Sequence, residues 1–253
     1  MTDFFSSWCE PPEDEAVGTH VSRLLASKDD DAGIDAVVTL LPGTYAKKKN
    51  LKRIAKRHSK KGVAKLLGNK VPKSKAGRSG DMGEILGTAY VQTTMGYTTG
   101  PSRLIERDHQ EWALRGDDVL GARLNGKKLE LVKVEAKSRA KADRAAVIEA
   151  REGLRRNGDL ASPHSLTQFA ERLLKKDEGL SDALNDVLQK SGLRPGQLAH
   201  VMFIFSSVYP VSHVREDLKA YKGKVAQTTV TVRVGAHQEF IRKSFDSVVT
   251  DAP

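Results

Sequence analysis

The chain has 253 residues, 39% hydrophobic, 6% aromatic and 29% charged. That is long enough for one large or two small globular units with a hydrophobic core, and it excludes wholesale disorder. The net charge of +10 is uneven: residues 1–35 hold 2 basic and 9 acidic residues, residues 36–78 hold 14 and none, and residues 79–253 hold 26 and 23. The whole excess lies in one segment, which predicts a local polyanion site and not a generally basic surface. Cys9 is the only cysteine. A disulfide framework and a Cys-rich zinc site are thereby excluded, and a reducing cytoplasm is expected. No apolar run reaches bilayer-spanning length, and the first residues lack the basic and apolar regions of a secretory signal.

Residues 1–33 are weakly patterned, with Phe4, Phe5 and Trp8 able to dock on a core and Asp29-Asp30-Asp31 reading as loop. Asp35–Leu41 (DAVVTLL) reads as a strand stopped by Pro42-Gly43, with Thr44 capping a basic helix. Leu51, Ile54, Ala55 and His58 form that helix's apolar stripe, and Lys and Arg fill its other faces. Asn69–Gly80 reads as loop, and Asp81 with Glu84 as a capping box opening the next helix, whose apolar face is Ile85, Leu86, Ala89 and Tyr90. A short strand is expected at Arg103–Glu106. Glu111–Leu124 and Lys127–Arg139 flank Asn125-Gly126, a hairpin signal. Helices follow over Ala140–Arg156, Ser165–Lys176 and Ser181–Lys190, with Ser181 the cap of the third. His200–Val208 is a continuous apolar run, expected to be a strand buried on both faces. A helix (Val211–Tyr221), a strand (Val225–Val234) and a helix (Gln238–Val248) complete the chain. The fold class is therefore α/β, with an α-β-β-β-α-β core. The domain expectation is an N-terminal region 1–78 carrying the basic helix and a core 79–253 with a helical insertion at about 157–197.

The hairpin carries the chemistry. Glu135 and Lys137, two apart on a strand, share a face. Asp117 and Asp118 face opposite sides, so the partner strand offers one acidic side chain towards them. Two close carboxylates bind a hard divalent cation through oxygen. Such a cation polarises a phosphodiester and acidifies water, and Lys137 can stabilise the developing charge or position that water. Glu84 is a further carboxylate on the preceding helix. A solvent-facing strand that merely pairs charges would read the same way. Against that, Glu135-x-Lys137 is the chain's one Glu-x-Lys, it continues an apolar run, and an acidic pair lies one hairpin upstream.

The pattern GDDVLGA, hairpin, LVKVEAK resembles the PD-(D/E)xK nuclease superfamily, the restriction-endonuclease-like fold, with Gly116-Asp117 where the motif usually has Pro-Asp. More narrowly, GDMGEILG (Gly80–Gly87), the helical insertion and the TTVTVRV strand resemble the HamA nucleases of Hachiman anti-phage defence. The resemblance matches Asp118, followed by apolar Val119-Leu120, to the motif Asp, with Asp117 the fallback. It matches Glu135 and Lys137 to the Glu-x-Lys, and Glu84 to a helix carboxylate. It implies cleavage of DNA with Mg²⁺ (or Mn²⁺) held by Asp118 and Glu135, and a helicase partner.

The seven histidines show no HExxH spacing, and no P-loop, GxGxxG or Gly-x-Ser-x-Gly occurs. Lys47, Lys48, Lys49, Lys52, Arg53, Lys56, Arg57, Lys60 and Lys61 are the candidate DNA-backbone contacts, and a solvated helix face is the plainer account of them. Three functions remain open: a metal-dependent DNA nuclease, a non-catalytic nucleic-acid-binding subunit on a degenerate nuclease fold, and an adaptor docking an acidic partner.

Overall fold

A computed structural model describes residues 3–100, 102–106, 109–111 and 116–250. Its centre is β6 (Leu198–Ser206), whose run LAHVMFIFS is apolar on both sides and buried on both. On one flank β6 pairs in parallel with β5 (Lys128–Arg139), and on the other with β7 (Ala226–Arg233). A seven-stranded mixed sheet results, in the order β1-β2-β7-β6-β5-β4-β3. β1 is Glu13–Val17, β2 His20–Ala26, β3 Thr98–Thr99 and β4 Val119–Asn125. β2 runs parallel to β7, whereas β1, β4 and β3 pair antiparallel with their neighbours.

Helices cover both faces, as a largely parallel sheet requires. On one face α1 (Asp30–Tyr45), α2 (Lys48–Gly68), α3 (Lys75–Thr93) and α8 (His237–Thr250) pack Val37, Leu67, Leu86 and Phe245 into one core with Val134, Phe203 and Val230. On the other, α5 (Pro163–Leu173) and α6 (Glu178–Asp186) cover Leu120, Leu131 and Leu198. There α4 (Arg144–Arg155) and α7 (Val211–Ala220) cover Met202 and Ile204.

The α/β class and the order helix, strand, hairpin, helix, helical insertion, strand stand as expected. Several elements do not. Asp35–Leu41 is helix, inside α1. Ile34, Val37, Leu41 and Tyr45 are buried at helical spacing, Asp29 caps the helix by accepting from Ala32 N–H, and Pro42 falls in its last turn. Thr44 is therefore not a cap, and Lys47 occupies that place for α2. Ala55 and His58, expected in the apolar stripe of α2, are exposed, and the helix is interrupted at Ser59, whose φ is +58°. α3 starts seven residues early, with Ser74 as cap, which leaves Asp81 buried in mid-helix accepting a hydrogen bond from Tyr45 Oη. Arg103–Glu106 is a 3₁₀ turn, and the first core strand is instead Thr98–Thr99. Asp177, and not Ser181, caps α6. Residues 112–115 of the expected strand lie outside the described residues. β1 and β2 lacked a clean alternation and were missed. The hairpin is present, but its two-residue loop is Gly126-Lys127, with Gly126 at φ +59° in the first position.

Candidate functional site

The ladder between β4 and β5 ends at Val119 opposite Val134. Beyond it β5 runs on beside β6, and among the described residues no strand pairs with residues 135–139 on the β4 side. Asp118 enters that notch: its carboxylate accepts the Ala136 N–H at 3.0 Å. The two neighbouring aspartates part here. Asp117 turns to Lys133 Nζ, 3.2 Å away, and accepts the Ser162 N–H at the start of α5. Lys133 is fully buried and also donates to the carbonyls of Leu154 and Leu160. Asp117 is thus the counter-ion of a buried cation, whereas Asp118 reaches the edge of β5 at Ala136.

Arg103 gathers the acidic groups. Its guanidinium donates to both oxygens of Glu84, at 2.8 and 2.7 Å, and to Asp118 at 2.9 Å. Burial pushes the Glu84 carboxyl up to about 7, with Asp118 adding to the rise and Arg103 opposing it. Glu135 is raised as well, first by burial and then by Asp118, while Lys137 opposes the rise. Burial works against the charge on Arg103, but Glu84 and Asp118 outweigh it. Three carboxylates thus crowd one another electrostatically around one guanidinium.

Glu135 and Lys137 sit on the strand as their i, i+2 spacing requires, and Lys137 Nζ is 3.0 Å from Glu135 Oε1. The Glu135 carboxylate lies flat against Gly153 of α4: a Cβ at that glycine would stand 2.2 Å from Glu135 Cδ. On the opposite face of β5, Ser138 Oγ hydrogen-bonds both Ser79 and His237 Nε2, pinning the strand to α3 and α8.

A family model for HamA matches residues 2–248. The chain belongs to the HamA family. That places it among proteins of Hachiman anti-phage defence. No curated protein matches it.

In this HamA-family chain a cleft of about 660 Å³ opens beside the acidic cluster, with Glu84, Arg103 and Asp118 in its lining. Glu135 and Lys137 do not line it. Of the nine basic candidates, Lys47 and Lys48 do, and all nine are exposed. The oxygen-only donor set of Asp118 and Glu135 suits a hard divalent cation, and the part of the rise at Glu84 and Glu135 that comes from the charge on Asp118 would be relieved by one. Among the described residues no three His, Cys, Asp or Glu side chains form a ready metal group. Among them, too, no helix is long and apolar enough to cross a membrane.

Sequence reasoning missed Arg103, Gly153 and Lys133. Nothing local marks Arg103, because it meets Glu84 and Asp118 only through the fold. Lys133 carried a signal: a lysine inside the apolar run LELVKV must find a buried counter-ion.

Proposed function

We propose that this HamA-family chain is a metal-dependent DNA nuclease acting in the cytoplasm as the effector of its defence system. Asp118 and Glu135 would hold Mg²⁺ or Mn²⁺. The observation that carries the reading is the notch between β4 and β5, where Asp118 reaches the Ala136 N–H and its charge adds to the raised proton affinity of Glu84 and Glu135. The cation supplies Lewis acidity toward a phosphodiester and a more acidic water. Lys137, bound to Glu135, is positioned to orient the attacking water or stabilise charge developing on the phosphate. Glu84 supports the site through Arg103. The exposed cations of α2 contact the DNA backbone, and family membership supports a helicase encoded alongside as the partner. Incubation of supercoiled plasmid with the purified chain, or its complex, tests the reading: nicking should stop in chelator and return with Mg²⁺. Nicking that persists in chelator counts against it.

A second reading, a non-catalytic nucleic-acid-binding subunit, draws on one observation: Arg103 already occupies both Glu84 and Asp118. Calorimetric Mg²⁺ or Mn²⁺ binding that disappears in Asp118→Ala would exclude it.

A further inference from the structure

We propose that Arg172, in the last turn of α5, and Lys176, just beyond it, form a subsite for one backbone phosphate of the nucleic acid in the cleft; the proposal deepens the nuclease reading and rests on it. Both residues line the cleft that holds Glu84 and Asp118. Arg172 Nε is buried and has no hydrogen-bond partner. Among the described residues its guanidinium makes no ion pair. Burial and the neighbouring charge of Arg103 depress its pKa, and Glu106 only partly offsets this. A half-buried guanidinium with an idle donor is suited to an anion arriving from the cleft.

Lys176 stands beside it, tied by one hydrogen bond of 3.0 Å from Nζ to the carbonyl of Thr99. An ammonium has three donors, so two remain for a ligand. Lys47 and Lys48 line the same cleft and lead in the chain directly into the exposed basic face of α2. A polyanion running along α2 into the cleft would meet cations at each step, which favours a nucleic-acid phosphate over an isolated carboxylate of a protein partner. The planar guanidinium fork matches two phosphate oxygens, and the ammonium adds a point charge to the same group. The helical insertion would then be the wall that sets the phosphate's distance from the acidic cluster.

The test uses the full chain in chelator, so that binding is read apart from cutting. Affinity for a labelled duplex oligonucleotide is measured by fluorescence anisotropy over a salt series for the native protein, Arg172→Gln, Lys176→Gln and the double variant. Circular dichroism melts confirm folding, and Arg172→Lys serves as a second, charge-retaining variant. The expected result is weaker binding in both single variants, a log–log salt slope lower by about 0.9 in the double variant, and partial recovery in Arg172→Lys. Inorganic phosphate should compete only weakly, since the backbone is the source of the group. An unchanged slope and affinity in folded double variant overturns the proposal. So does loss of a co-expressed partner with DNA binding intact, which would make the subsite a protein-docking site. Failure here is distinguishable from failure of the nuclease reading: Glu135→Ala with Lys137→Ala tests cutting alone and leaves Arg172 untouched.

Discussion

Gly153 of α4 and Glu135 of β5 are in such close contact that a methyl group on the former would overlap the carboxylate of the latter, 2.2 Å from Cδ and 2.3 Å from Oε2. The helix thereby fixes where Glu135 can point. Gly153→Ala should push the carboxylate out of place while the helix gains intrinsic propensity of about 1 kcal/mol. A misplacement of about 1 Å in a reacting group lowers turnover by roughly 10²-fold. Plasmid nicking should fall by that order, with little change in melting temperature. A variant that melts normally and nicks at the native rate would show that Glu135 need not be held.

Arg103 neutralises two carboxylates that lie mostly out of water, with side-chain exposures of 13% for Glu84 and 19% for Asp118. Removing one partner of such a group leaves charge uncompensated, at about 3–5 kcal/mol. Arg103→Met should therefore lose stability in chemical denaturation. The loss should be largest above the Glu84 pKa of about 7 and smaller below it, where a proton replaces the guanidinium. Divalent cation should restore part of it by binding the folded form. Equal losses at both pH values, with no rescue, would mean that Arg103 acts through packing alone.

Asp117 and Asp118 should separate cleanly by assay. Asp117→Ala strands the buried Lys133 ammonium and should destabilise the fold by about 3–5 kcal/mol, with cation affinity retained in the molecules that fold. Asp118→Ala should abolish calorimetric Mn²⁺ binding at a smaller loss of stability. The reverse pattern would exchange the two roles.

Burial holds His200 and His237 down to about 4, from 6.5. Between pH 6.5 and about 4 the unfolded chain takes up a proton at each histidine that the folded chain does not. Stability therefore falls as pH drops through that window and levels off beneath it, by up to ~1.4 kcal/mol per pH unit per histidine. The Glu84 carboxyl acts in the opposite sense, since its raised pKa makes the folded chain the better proton acceptor from pH 4.5 to about 7. His237→Gln should remove one histidine's share of the slope. Urea unfolding across the window measures it, and an unchanged slope would mean that His237 is protonated in the fold.

What could be read in the sequence was whatever a local pattern records. The apolar run of β6 and the β5 run through Glu135-x-Lys137 each carry their own signal and lie in the expected elements, and the Asn125-Gly126 signal marked the hairpin one residue from its loop, Gly126-Lys127. The stretch 35–41 misled because β-branched residues in a seven-residue window look like a strand. The helical stripe becomes visible only when Ile34 and Tyr45 are included. Arg103–Glu106 is too short for period two and period three to be told apart. Asp117 and Asp118 were expected to part by strand alternation, but both precede β4, and their parting depends on how the chain enters that strand beside Lys133 and Ala136. Arg103 and Gly153 matter through contacts across 15 to 19 positions of chain, and Arg172 through a cleft that only the fold assembles, none of which a local pattern carries.

In the proposed nuclease, Glu135 and Lys137 do the cutting chemistry. The most direct test of this is the rate of supercoiled-plasmid nicking in Mg²⁺ by the chain or its complex, native against Glu135→Ala with Lys137→Ala. The account predicts that the folded double variant binds DNA as the native protein does and nicks at background rate. Nicking at the native rate by that variant would contradict it.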